Sequence, residues 1–385
     1  MIKKATTTNN NISIIRTAAI ALIVSLAGSV AALETPELWL HPQARQLPPS
    51  KEQRMPMVVL SDGSLLRVVK QGSQISTDDG ATWSNPTPLY AGPPPGRHTG
   101  GGVLFKTKKG TIILVYHDPD SRVFKWDRKT GEISDDTRND VWVIRSTDNG
   151  TTWTDRQHIS RLHEESPYCL SLIQMAQLDD GSIVVPLQPR RRDPNHNVIT
   201  SVTSRDEGQT WKRSETVLDI GGGGLHDGLL EPAIIGLRDG RAYMLIRTNL
   251  DWLYESYSDN GGMTWSTPKP SSLDASSAPA FLLRLTSGRV MLVWNRVAPS
   301  NGSRPPRKQG LAWSREPASW HRSELSVTFS SDDCKTWSNP VVIAKHAGRA
   351  LAYPYALERR PGFIWIVTRY GERIQIEIPE SAFCP

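Results

Sequence analysis

Glu231 is followed sixteen residues later by Arg247, and Tyr353 stands far downstream at a position that a repeated turn makes equivalent to Glu231. A carboxylate beside a phenol can take its proton, and the phenolate so formed is a competent nucleophile. Arg54 and Arg247, joined by Arg322, supply planar two-pronged donors suited to a carboxylate or sulfate. Each such contact is worth roughly 1.5–3 kcal/mol when desolvated. The chemistry these residue types suggest is nucleophilic attack on an anionic substrate.

The elements that must position them are strands. Six times along the chain an apolar run, a tight turn ending in Gly and a second apolar run recur, with turn glycines Gly63, Gly110, Gly181, Gly240, Gly288 and Gly362. Nine residues before them stand Arg54, Gly101, Leu172, Glu231, Pro279 and Tyr353; seven residues after them stand Lys70, His117, Gln188, Arg247, Asn295 and Arg369. In a β-propeller the first strand of each blade runs along the central axis and the second returns beside it, so both sets fall on one rim. Nine of these twelve residues are charged, polar or phenolic. Unpaired charges are costly to bury, so the set implies a wet or ligand-filled pocket, with His117, Gln188, Asn295 and Arg369 as further substrate contacts.

A second repeat gives the architecture independently. The phrase Ser-x-Asp-x-Gly-x-Thr-Trp begins at Ser76, Ser146, Ser204, Ser258 and Ser330, with Asn260 at the Asp position of the fourth copy and Cys334 at the Gly position of the fifth. Each copy reads as a hairpin turn in which the Asp binds backbone N–H groups, the Gly takes positive φ and the Trp packs beneath. Spacings of 54 to 72 residues suit four-stranded blades. The expectation is an all-β, six-bladed β-propeller. Its sixth unit, Tyr353 to Ile378, holds about three strands, so Leu38 to Gln46 is expected to supply the missing one and close the ring.

Composition agrees with one such domain over residues 34–385. Gly and Pro account for 29 and 28 of the 385 residues, as many tight turns require. Residues 1–33 read as a secretory signal: Lys3, Lys4 and Arg16 precede the apolar stretch Thr17 to Val30, which ends in Ala31 and Ala32. The mature protein is then expected to be secreted or periplasmic, free of the membrane and monomeric. Without that segment the net charge falls from +6 to +3, leaving 42 basic against 39 acidic residues, which suits an acidic substrate. The basic residues are scattered apart from Arg190 to Arg192, which argues against nucleic acid. Cys169, Cys334 and Cys384 offer neither metal-ligand spacing nor a disulfide framework, and no cofactor is implied.

These residues carry a resemblance. The five phrases resemble the Asp-boxes of the sialidase (neuraminidase) superfamily, and Arg54-Met55-Pro56 is similar to that family's Arg-Ile-Pro motif. The resemblance implies that Arg54, Arg247 and Arg322 clamp the carboxylate of an acidic sugar, that Tyr353 is the nucleophile and that Glu231 is its general base. The family's acid/base Asp, in the loop between the second and third strands of the first blade, has no counterpart: the loop here, about Gln71 to Gln74, holds no carboxylate. Substitutes come from the second blade, where His98 or His117 could act near neutral pH and Asp118, Asp120, Asp135 and Asp136 lie in a long loop; Asp135 is the carboxylate selected. The insertion Asn301 to Arg322, with Trp313, Trp320 and His321, could wall the pocket. Three classes stay open: an exo-acting, retaining glycoside hydrolase on a terminal acidic sugar; a lyase or uronate glycosidase on the same propeller; and a propeller that binds acidic carbohydrate without turnover.

Overall fold

The second strand of a blade buries both of its faces, as in Leu65–Val69, Ile112–His117, Ile183–Leu187, Ala242–Arg247 and Val290–Trp294, and that decides the architecture. In Ile112–His117, Ile112, Leu114 and Tyr116 pack toward the preceding blade while Ile113 and Val115 pack toward the next. Side chains alternate across a strand, so an almost continuous apolar run fills two interfaces at once. Six apolar clusters result, one per neighbouring pair of blades, the sixth joining Leu357 and Trp365 to Met57 and Leu65.

The computed structural model describes residues 37–383 except 49–56, 91–101, 119–121, 128, 131, 155, 163–167, 170–171 and 193. The expected signal segment, Arg54, His98 and Cys384 lie outside the described residues. The fold is a six-bladed β-propeller, all-β apart from two short 3-10 turns among the described residues. The first blade pairs Met57–Val59, Leu65–Val69 and Gly72–Ser76. The fourth pairs Leu230–Gly236, Ala242–Arg247, Trp252–Ser258 and Lys269–Asp274. All six turn glycines join the first strand of a blade to the second and have φ between 77° and 93°.

The N-terminal strands divide their work. Arg45–Gln46 pairs with Gln375–Pro379 and completes the sixth blade, as expected, but Leu38–Leu40 pairs instead with Val341–His346 at the outer edge of the fifth. One short segment therefore seals two blades.

The repeated phrase links blades to one another. In its first copy Ser76 Oγ accepts from Gly80 N at 2.8 Å, and Asp78 accepts from Thr82 N at 2.8 Å and from Thr82 Oγ1 at 2.5 Å. In the fourth copy Asn260 substitutes by accepting from Thr264 N and donating to Thr264 Oγ1. The Trp reaches the preceding blade, as where Trp265 Nε1 donates to Ser201 Oγ at 3.0 Å. A Cβ on Gly150 would stand 2.2 Å from Leu66 Cδ1 of the first blade, and the φ of 81° there also favours Gly. Cys334 nevertheless takes φ 70° in the fifth copy, and its N–H still reaches Ser330 Oγ at 2.8 Å.

Candidate active site

Two residues within strands have left-handed backbone, and they meet. Among the described residues, the other non-Gly residues with positive φ lie in turns; Glu231 (φ 42°) and Tyr353 (φ 58°) lie in the innermost strands of the fourth and sixth blades. Both precede a proline, Pro232 and Pro354, and such backbone costs of order 1–3 kcal/mol per residue. The strain turns both side chains to one place: Tyr353 Oη donates to Glu231 Oε1 at 2.9 Å.

Arg247 closes the triangle from the end of the strand beside Glu231. Its Nη1 pairs with Glu231 Oε2 and lies 3.3 Å from Tyr353 Oη, while Nε and Nη2 donate to Ser277 Oγ at 3.1 and 2.9 Å. Arg322 comes from the fifth blade and donates to the Ser277 carbonyl. Glu231 and Arg247 are only 3% and 2% exposed, so their mutual charge is weakly screened. Arg369, in the sixth blade with Tyr353, donates from Nε to the Tyr353 carbonyl at 3.4 Å.

The electrostatics follow from burial and these neighbours. Burial tends to raise the Glu231 carboxyl, but the Arg247 charge and hydrogen bond outweigh it and hold it below the ordinary glutamate range. Burial, then the charge of Glu231, pushes the Tyr353 phenol up to about 12. Burial, with Arg247 alongside, brings the Arg322 guanidinium down to about 10. The resting site is therefore an ionised carboxylate, a neutral phenol and two guanidinium cations.

The structure brings Glu231, Arg247, Arg322 and Tyr353 together and places other candidates elsewhere. Gln188 is fully buried beneath Glu231: its Oε1 accepts from Glu231 N at 2.8 Å and its Nε2 donates to Asn197 at 3.0 Å. Asn295, expected to contact substrate, uses Nδ2 to tie the carbonyls of Glu324 and Leu351 together. Both depart from the expectation because the strand has ended at that offset and the side chain turns between blades. They hold the inner strands that carry Glu231 and Tyr353.

His117 is buried, with Nδ1 accepting from Asn139 Nδ2 at 3.0 Å; burial, then Arg122, brings its imidazole down to about 4. An imidazole so depressed is neutral at working pH and does not fit the acid expected of it. Asp135 is 99% exposed and paired with Arg192, so nothing desolvates it or joins it to Glu231 and Tyr353. The first-blade connection is tighter than expected: Val69 pairs with Gly72, leaving only Lys70 and Gln71 in the turn, and neither is a carboxylate.

Sequence reasoning missed His226. It stacks on Trp313 with centroids 5.5 Å apart and meets Trp320 edge-on at 5.6 Å; burial, then Arg247, brings its imidazole down to about 3. The run Gly221 to Gly224 just before it was the available signal, because four successive residues without side chains imply close backbone approach.

Fold and site together define a sialidase-like propeller. Residues 68–366 match the BNR repeat-like domain family, and the chain belongs to that family. A protein of unknown function from Dyadobacter fermentans superimposes with TM-score 0.58 at 17% identity, over 90% of this chain and 100% of that one. The NanB sialidase of Streptococcus pneumoniae gives TM-score 0.56 at 15% identity, over 89% of this chain and 71% of its own. The Trypanosoma rangeli sialidase, as its covalent intermediate with 2,3-difluorosialic acid, gives 0.56 at 13%, over 89% and 60%. These identities establish a shared fold alone. No curated protein matches the chain.

Proposed function

We propose that the protein is an exported glycoside hydrolase that removes a terminal acidic sugar with retention of configuration. The carrying observation is the buried triangle of Tyr353, Glu231 and Arg247, with Arg322 beside it. Arg247 and Arg322 hold the sugar carboxylate, joined by Arg54, which opens the first blade in sequence.

Tyr353 Oη attacks the anomeric carbon while its proton passes to Glu231 Oε1. Full ionisation of a phenol at about 12 costs roughly 7 kcal/mol at pH 7, so proton transfer and bond formation must proceed together. Arg247 sets the timing. While it pairs with Glu231 the carboxylate is a weak base; a substrate carboxylate that shares the guanidinium releases part of that charge and makes Glu231 more basic. Water then attacks the glycosyl-tyrosine, Tyr353 recovers its proton, and the sugar leaves with its original configuration.

The leaving oxygen needs a proton, and the two-residue first-blade turn, Lys70 and Gln71, supplies no carboxylic acid. His98 is the proposed acid, from the segment that enters the second blade. The same vacancy favours a second reading, a propeller that binds acidic carbohydrate without cleaving it.

One experiment separates the readings. The protein is incubated with an aryl sialoside, whose leaving group needs little protonation, with sialyllactose, and with 2,3-difluorosialic acid. Turnover of the aryl glycoside and a mass increment on the Tyr353 peptide support the hydrolase; a sialyllactose rate lowered a further 10²- to 10⁴-fold by His98→Ala, with the aryl rate preserved, supports the acid assignment. Binding of sialyllactose with no turnover and no labelled tyrosine supports the binding propeller. An unsaturated product absorbing in the ultraviolet would instead indicate a lyase.

A further inference from the structure

The connection from Val290–Trp294 to Glu324–Ser330 in the fifth blade carries a small hairpin, Arg307–Lys308 against Ala318–Ser319, which the hydrolase mechanism does not use. It is held in place from two sides. Asp227 accepts from Gly223 N (3.1 Å), Gly224 N (2.7 Å), Ser314 Oγ (2.6 Å) and Arg315 N (3.1 Å). Asp251 accepts from Ser319 N at 3.1 Å and Arg307 Nη2 at 2.6 Å. The backbone adds Leu225 N to the Leu311 carbonyl and His226 N to the Trp313 carbonyl. The glycine run permits this approach, since a Cβ on Gly223 would stand 2.5 Å from Arg315 Nη2 and one on Gly224 would stand 3.1 Å from Ser314 Cα.

What this rigid strap presents is charge. Lys308 Nζ lies 3.6 Å from the Trp313 ring centroid and 4.5 Å from that of Trp320. The Trp320 ring also has Arg322 Cζ at 4.3 Å and Arg247 Cζ at 5.8 Å. Three cations thus surround one indole. The described carboxylate among them is Glu231, which pairs with Arg247; neither Lys308 nor Arg322 has an ion-pair partner among the described residues. Burial, then the Arg322 charge, holds the Lys308 ammonium below the ordinary lysine range, as expected of like charges facing each other. Ring faces offset part of that repulsion, and an anion offsets more.

We infer that Lys308 makes this a site for doubly acidic glycosides, in which the sugar carboxylate goes to Arg247 and Arg322 and a second acidic group, a sulfate or carboxylate on the adjoining residue, goes to Lys308. The inference rests on the proposed reading of the arginines as the carboxylate-holding pair. It adds a substrate class, acidic sugars linked to a residue that is itself charged, and it assigns the strap a task in selection.

Binding is measured in the Tyr353→Phe background, so that turnover does not intervene, by calorimetry and by quenching of indole fluorescence. The probes are 3′-sialyl-N-acetyllactosamine, the same trisaccharide with a 6-O-sulfate on its galactose, and an α2,8-linked disialoside. Binding of the sulfated trisaccharide or the disialoside about fivefold to tenfold tighter than the parent at low salt is expected, and the tighter of the two identifies the second group as sulfate or carboxylate. Lys308→Gln should abolish only that difference, Lys308→Arg should restore it, and the melting temperature should stay unchanged in both. Equal affinity for all three probes, or equal weakening of all three by Lys308→Gln, overturns the inference and leaves the proposed function standing. Failure of every probe to bind removes both.

Discussion

Glu231 and Tyr353 are held in backbone conformations that most side chains avoid, and each is the residue before a proline. Removing the phenol oxygen with Tyr353→Phe should leave the fold intact and lower kcat by about 10³-fold or more, read with an aryl sialoside. Glu231→Gln should do comparable damage to rate and also destabilise the protein by about 3 kcal/mol, because it leaves Arg247 buried without its partner. Since the Glu231 carboxyl is depressed in the folded state, its ion pair contributes fully above the unfolded glutamate value and is lost as pH falls through the folded one. The acid limb of kcat/KM should accordingly lie below the ordinary glutamate range, and Glu231→Gln should lack it. His117 and His226, at about 4 and about 3, supply no transition near pH 6.5, so a basic limb there that disappears in His98→Ala would identify the acid. The common offset of Glu231 and Tyr353 from their turn glycines was legible in the sequence. The strain was not, because φ is unwritten there, although a proline after both was a visible clue.

At the level of elements, the inner strands depend on amides that sequence periodicity could not assign. Gln188 and Asn295 share an offset with Arg247, yet one supports the Glu231 backbone and the other ties the fifth blade to the sixth. A side chain at a strand end can point to the channel or between sheets, and only the neighbouring blade decides which. Gln188→Ala should therefore lower kcat more than it raises KM, whereas a direct substrate contact would raise KM first. Gly228 gives a sharper case. It has φ 85° and a Cβ there would lie 2.1 Å from the Asn197 carbonyl oxygen, three residues before Glu231. Gly228→Ala should cost about 3 kcal/mol and displace Glu231, which thermal melting and kcat/KM would report together. The turn glycines were readable as hairpins because a positive φ selects Gly; the glycine run at Gly221 was readable as close approach, but what approaches it was not.

At the scale of the whole molecule, blade number followed from the six turn glycines, one more than the five Trp phrases, and the closing strand was foreseen for the sixth blade but not for the fifth. That half was hidden because Leu38–Leu40 and Arg45–Gln46 are only three and two residues long, too short to show a periodicity, and the partner is chosen by the edge that remains open. Deleting residues 34–47 should lower the melting temperature by roughly 10 °C or more, since two outer edges and the Arg45 to Glu377 ion pair go with it. Thiol labelling offers a separate readout: Cys169 and Cys334 are buried and their thiols are raised to about 12, chiefly by burial. With Cys384 replaced by Ser, a disulfide reagent should leave the native protein unlabelled and modify both thiols only on unfolding.

That closure also sets an order in time. Arg45 and Glu377 are 332 residues apart in the chain and adjacent in the sixth blade, so the first must wait unpaired while the intervening blades are synthesised. Interior blades can form as they emerge, but the ring cannot lock until Gln375–Pro379 has emerged, and contacts of such separation form slowly. The propeller is thus fastened late and once. Refolding should show the blades forming early by far-ultraviolet signal while Trp365, packed at the final seam, reports a distinctly slower phase.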